Sequence, residues 1–213
     1  MKLFPRLIVL VVAVALGFAA LAEDPQEARL TFTSDPGDFI GLGESVDITS
    51  HSPGELIISW VYSSLPSGAP DRLFFWSIPN TPYYTAYTLT FSTRWLGVPI
   101  QTGSYPDAFR DAAGIAGHPG LDLGFAGRGC NQLSGNFTIN QCDFFHPSPG
   151  VWKVAAFDAT FEQHCEFANP ALRGRFTYRN LAAPPPVPEP GTLALALVGG
   201  TGIIVRRLRK VRS

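Results

Sequence analysis

Between residues 23 and 180 the hydrophobic positions recur with a period of two, not 3.6. Tyr83, Tyr87, Leu89, Phe91 and Trp95 share one parity, with Thr88, Thr90, Ser92 and Arg94 on the other. That is the pattern of a strand with one face in a core. Leu172, Phe176 and Tyr178 alternate in the same way with Arg173, Arg175 and Arg179. Along Val151 to Phe161 the inward set is Ala155, Phe157, Ala159 and Phe161, and the outward set is Asp158, Thr160 and Glu162. Leu30–Thr33, Leu56–Tyr62, Leu73–Ile78 and Asn136–Ile139 read as further strands. Turn chemistry separates them at Asp35-Pro36-Gly37, Ser52-Pro53-Gly54, Pro66-Ser67-Gly68 and Ser148-Pro149-Gly150. About seven short strands so punctuated predict an all-β fold, an antiparallel β-sandwich of jelly-roll-like type. Only Pro106–Ala116, with Phe109, Ala112 and Ile115, has helical spacing, and it reads as a short connector stopped by Gly117. No internal repeat of fixed period is present.

The two ends do not belong to this pattern. Lys2 and Arg6 precede an unbroken apolar run from Leu7 to Leu16, and Ala20-Leu21-Ala22 offers a small-x-small cleavage site before Glu23. Residues 1–22 therefore read as a secretory signal peptide removed by signal peptidase. An uncleaved anchor would need a longer apolar stretch to cross about 30 Å of hydrocarbon. At the other end, Ala182-Ala183-Pro184-Pro185-Pro186-Val187-Pro188-Glu189-Pro190 is an extended spacer, because proline favours polyproline II. Gly191 to Val205 carries no charge, and Arg206, Arg207, Arg209, Lys210 and Arg212 follow it. This is a short single transmembrane helix whose basic end stays cytoplasmic, with snorkelling arginines making up its length. A buried core helix would not end in five bases behind a proline spacer.

Pro188-Glu189-Pro190, the short hydrophobic helix and the arginine-rich tail together resemble the PEP-CTERM sorting signal of secreted bacterial proteins. The resemblance implies processing by an exosortase, a membrane enzyme of cysteine-transpeptidase type. It also implies a Gram-negative host that makes exopolysaccharide. The expected organisation is a signal peptide at 1–22, an ectodomain at 23–180, a proline-rich linker at 181–187 and the sorting signal at 188–213. The precursor would sit in the membrane through residues 191–205, and the processed protein would reach the cell surface or extracellular matrix.

Charge and composition narrow the functional classes. Of 16 Lys and Arg, seven lie in the first 22 and last eight residues, so the middle keeps nine against all 17 acids. Such a domain is a poor partner for nucleic acid, which needs a basic stripe. Charged residues are 15% and glycines and prolines number 21 and 19, which excludes a coiled coil or charged helical bundle. All three cysteines, Cys130, Cys142 and Cys165, lie in the exported segment, where disulfides form. Three pairings are possible, and Cys130–Cys165 is favoured. It would close a loop of about 36 residues, for which the chain-entropy model gives about 4 kcal/mol as an upper value. Cys142 would be left over.

Gly127 to Phe176 also resembles an uncharacterised secreted bacterial β-rich domain. The elements are Gly127-Arg128-Gly129-Cys130-Asn131, the Gly135-Asn136-Phe137 strand, and Phe161, Gln163, Cys165 and Glu166, followed by Pro170-Ala171-Leu172 and Gly174. Ser34-Asp35-Pro36-Gly37-Asp38-Phe39-Ile40-Gly41 belongs with them. The resemblance implies a disulfide-linked extracellular module and no activity.

Catalytic and metal signals are sparse. His51, His118, His146 and His164 lack zinc-ligand spacing, and there is no Gly-x-Ser-x-Gly elbow. A nucleophilic pair of Cys142 with His146 or His164 is conceivable, but disulfide chemistry explains a cysteine better in an exported domain. Asp35, Asp38, Glu44 and Asp47 form an acidic, glycine-punctuated stretch able to offer calcium oxygen ligands. Their spacing is not that of an EF-hand, and a solvated turn region is the better explanation. Trp60, Tyr62, Trp76, Tyr83, Tyr84 and Trp95 are candidate sugar-stacking platforms, although aromatics at strand parity are more often core. The expected function is a non-enzymatic, cofactor-free surface or matrix protein with extracellular polysaccharide as its candidate partner. The alternative is a secreted hydrolase with an unrecognised site.

Overall fold

The computed structural model describes residues 25–51, 56–78 and 86–185. The signal peptide at 1–22, Pro188, Glu189 and Pro190, the apolar run at 191–205, and Tyr83 and Tyr84 lie outside these residues. The described chain forms strands β1 (Gln26–Ser34), β2 (Ser45–His51), β3 (Leu56–Tyr62), β4 (Arg72–Ile78), β5 (Tyr87–Ser92), β6 (Gly103–Arg110), β7 (Gly120–Phe125), β8 (Leu133–Ser148), β9 (Val151–Cys165) and β10 (Leu172–Asn180). All belong to one sheet in the order β2-β1-β10-β9-β8-β6-β7-β5-β4-β3.

This sheet folds over on itself until its two ends nearly meet. Leu73 and Phe75 of β4, Tyr87, Leu89 and Phe91 of β5, and Leu121 and Leu123 of β7 are buried against Leu30, Phe137, Phe157, Phe161, Phe176 and Tyr178 from the other half. Ring centroids stand 4.7 Å apart for Phe75 and Phe176, 5.0 Å for Phe91 and Phe157, and 5.2 Å for Phe32 and Phe125. Hydroxyl pairs tie the end strands across the gap: Ser50 to Ser77 at 3.2 Å, and Ser59 to Tyr178 at 3.1 Å.

The all-β expectation holds, but the two sheets of a sandwich are here one continuous sheet. Its pairs are antiparallel except β6 with β7, which run parallel through Phe109↔Gly120 and Arg110↔Leu121. The helical connector expected at Pro106–Ala116 is instead the end of strand β6, up to Arg110, followed by a single 3-10 turn at Asp111–Ala113. The spacing of Phe109, Ala112 and Ile115 marks no buried helical face, since Ala112 and Ile115 are exposed, and a bulge between Tyr105 and Ala108 breaks the period of two that would have shown the strand. Strand β5 stops at Ser92, and Trp95 sits in a 3-10 turn, Arg94–Leu96, rather than at the end of a long strand. In β9 the inward residue is Val154, not Ala155, because register shifts in the β8–β9 hairpin change the phase before Phe157.

The disulfide joins Cys130, after β7, to Cys165 at the end of β9. Beside it Gln163, almost fully buried, reaches across the core. Its Oε1 accepts the Leu123 N–H at 2.9 Å, and its Nε2 donates to the Leu123 carbonyl at 3.2 Å. A buried amide with both ends satisfied fixes the two halves of the sheet in one relative position.

Gly135 marks the tightest approach of neighbouring strands: a Cβ there would stand 2.2 Å from the Glu162 carbonyl oxygen. Gly135→Ala is expected to lower stability by about 1–3 kcal/mol, since neither backbone can yield without breaking the ladder. Gly129→Ala, where a Cβ would meet nothing within 4 Å, is expected to change it by less than about 0.5 kcal/mol. Urea unfolding of the two variants against the parent chain checks both.

Candidate functional site

Strands β3 and β4 are apolar on both faces. Ile57, Leu73 and Phe75 point into the core, so the alternate residues Ile58, Trp60, Tyr62, Phe74 and Trp76 point out. The register sets Ile58 opposite Trp76, Trp60 opposite Phe74 and Tyr62 opposite Arg72. Trp60 is 40% exposed, Tyr62 43% and Trp76 37%, while Phe74 is half-buried between them. The Trp60 ring lies 5.3 Å from Phe74 and 6.5 Å from Trp76, tilted by 37° and 30°. Three exposed aromatic side chains thus form a contiguous row on the outer face of an edge hairpin, where a monomeric domain normally places polar residues.

Polar groups bound this row on the side of β5 and β7. The Arg72 guanidinium lies 4.9 Å from the Tyr62 ring centroid, and its Nε is 2.8 Å from Oδ2 of buried Asp111. Arg110 Nε donates to Asp122 Oδ2 at 3.1 Å and its Nη1 to the Asn131 carbonyl at 3.2 Å. Burial pushes the Asp122 carboxyl above the usual carboxylate range, and the Arg110 hydrogen bond opposes that shift. Thr88 and Thr90 of β5 face Trp76 and Phe74 directly, so hydroxyls adjoin the rings.

Of the expected stacking residues, Trp60, Tyr62 and Trp76 come together here and Trp95 does not. Its indole Nε1 donates to the Asp111 carbonyl at 3.1 Å and Arg94 covers its ring at 4.4 Å, which makes it a packing element. Phe74, Arg72 and Asp122 were missed as neighbours of the row. The available signal was that Ile57-Ile58 and Phe74-Phe75 place apolar groups on both parities of their strands.

The acidic stretch near the start of the domain does not converge. Asp35 receives the Ala171 N–H at 3.0 Å and Arg173 at 3.1 Å. Asp38 Oδ2 accepts the Gly41 N–H at 2.7 Å and the Ser34 hydroxyl at 2.9 Å. Asp47 lies in β2, not in a loop, and pairs with Arg29 at 2.7 Å. No group of three or more His, Cys, Asp or Glu able to hold a metal ion occurs among the described residues. The Cys142 thiol is pushed up to about 12 by burial, so it stays protonated at neutral pH and is a poor nucleophile. The His146 ring lies 3.7 Å from that of Trp152, tilted by 44°, and His164 contacts Glu162 at 3.0 Å.

A groove of about 450 Å³ opens on the outer face of the other half-sheet, lined by Glu27, Arg29, Gln141, Asp158, Thr177 and Arg179 among others. Arg175 holds Asp158 below its usual range through hydrogen bonds at 2.9 and 2.6 Å. That is the wrong direction for a general acid near neutral pH. The same face carries the chain Asp35–Arg173–Glu162–His164. Several elements of the middle-domain resemblance meet at its end: Arg128 donates to the Ile40 carbonyl at 2.8 Å, and Glu166 accepts the Asn131 N–H at 2.8 Å.

The carboxyls of Asp35, Asp158 and Glu162 all lie below their usual range, through the Ala171 N–H, Arg175 and His164 respectively as the leading causes. Their contribution to stability is present above the unfolded values of about 4 and is lost as pH falls through the lower folded values. Buried Asp122 has the opposite sign and gains on protonation. The thermal midpoint is expected to be flat from about pH 7 to 5 and to fall below about pH 4. Arg173→Met should make that fall shallower, and calcium should leave the midpoint unchanged, as differential scanning fluorimetry would read.

Residues 186–210 match the family model of the PEP-CTERM protein-sorting motif. No curated protein and no solved structure matches the chain significantly. The matched segment contains Pro188, Glu189 and Pro190, and it follows directly on the last described residue. The chain thus carries a PEP-CTERM sorting motif at residues 186–210, which implies an exported protein, anchored in the membrane before an exosortase processes it.

Proposed function

We propose that the processed protein acts at the cell surface or in the extracellular matrix, as a non-enzymatic module that binds extracellular polysaccharide. The observation that carries this reading is the exposed row of Trp60, Tyr62 and Trp76. Aromatic rings with hydroxyls and charged groups at their margin suit ligands that have apolar faces and polar edges, and sugar rings are such ligands. A row along the outside of a sheet fits a chain better than a small molecule, which takes a concave pocket. The sorting motif supports this reading, since it implies export, and a surface or matrix location would bring the domain to such polymers. Among the described residues the candidates for a hydrolase offer little: the groove's Asp158 is held by Arg175, and burial pushes the Cys142 thiol up to about 12.

Delivery depends on the sorting triplet being read by an enzyme, not merely on an apolar anchor. Glu189→Ala is therefore expected to leave signal-peptide removal and membrane insertion intact, and to block loss of the C-terminal ~23 residues in the native host, as with other anchors removed after recognition. Mass spectrometry of the mature protein reads the difference. Identical processing of both forms would reduce the C-terminus to an ordinary anchor.

A further inference from the structure

We infer that the aromatic row takes an uncharged glycan, and that acidic polymers are excluded from it. This rests on the polysaccharide binding proposed above and narrows its ligand class. The charges that border the row are already matched. Arg72 is held by Asp111 and by the Tyr62 ring, and Arg110 by Asp122 and the Asn131 carbonyl. A polyanion could recruit Arg72 or Arg110 only by breaking an existing ion pair, which is costly around a buried carboxylate, and the nearby Arg94 is held over the Trp95 ring at 4.4 Å.

The domain as a whole strengthens the exclusion. Its nine bases against an excess of acids give a negative field that repels polyanions at long range. Three arginines of the opposite outer face add little to relieve it, because Arg29, Arg173 and Arg175 are paired with Asp47, Asp35 and Asp158. What the row does offer is neutral. Trp60 and Trp76 provide faces, Thr88 a hydroxyl beside Trp76, and β3 a sheet edge with which no strand pairs among the described residues.

Affinity electrophoresis of the mature exported protein tests this, in gels containing dextran, hydroxyethylcellulose or galactomannan as neutral polymers and alginate as an acidic one. Retardation by at least one neutral polymer is expected, unchanged by high salt or by EDTA, with none in alginate. Trp60→Gln and Trp76→Gln, each checked for an unchanged thermal midpoint, should each weaken it about tenfold, and Trp95→Phe should not. If one tryptophan variant fails to fold, the other and Tyr62→Ala carry the test. Retardation by alginate alone, abolished by salt, would overturn the neutral assignment and leave polysaccharide binding standing. No retardation in any gel would overturn both. Neutral retardation untouched by the row variants would move the site elsewhere and sink this assignment. Loss of a dimer on size exclusion in Trp60→Gln, without glycan binding by the parent, would give the row to a second copy of the chain.

Discussion

Phe75 has no exposed surface, and its ring lies 4.7 Å from Phe176, 5.3 Å from Tyr178 and 5.4 Å from Phe157. These contacts join strand β4, one from the end of the sheet, to strands β9 and β10 near its other end, and so they fold ten strands over one core. The outer face follows from this commitment. Successive side chains on a strand point to opposite faces, so with Phe75 and Leu73 inward, Phe74 and Trp76 face solvent whatever their hydrophobicity. Turning Trp76 inward would need a one-residue slip that expels Phe75. The exposed row is therefore the outward side of the arrangement that builds the core.

The outward faces of the two half-sheets differ in kind. Across β2, β1, β10 and β9 and the turn after β1, arginines and carboxylates pair as Arg29–Asp47, Arg175–Asp158 and Asp35–Arg173–Glu162. Exposed pairs of this sort contribute little individually, but they keep that face solvated and its register fixed. On β3 and β4 the corresponding positions are aromatic. The disulfide and the Gln163 bridge hold the halves together, so one rigid body presents a charged face and an aromatic one.

The strands legible in the sequence were those in which burial is one-sided. β10 shows its core in Phe176 and Tyr178 and its surface in three arginines, and the Pro149-Gly150 turn announces the hairpin after β8. Illegible strands had a local reason. β6 carries a bulge and a left-handed Asp107, which break the period of two. β2 has only Val46 and Ile48 as apolar markers, and Asp47 between them reads as loop. Sequence patterning could not distinguish one folded sheet from two facing ones, because both give the same alternation. Trp60 and Trp76 were visible as candidate platforms, but their exposure depends on which parity β4 gives to the core, and Phe74-Phe75-Trp76 is apolar on both.

The fold closes where the chain leaves it. Gln26 pairs with Asn180, and the Leu181 N–H donates to the Pro25 carbonyl at 2.7 Å, so the start and end of the sheet are side by side and the sorting segment follows within a few residues. Removing that segment leaves every described strand intact. The central claim, that packing of Phe75 forces Trp60 and Trp76 outward, is tested most directly by the fluorescence of variants retaining one tryptophan each. Trp60 and Trp76 should emit at long wavelength and be quenched readily by acrylamide, and Trp95, beneath Arg94, should be shielded. Blue-shifted, unquenched emission from Trp60 and Trp76 in the folded protein would contradict the account.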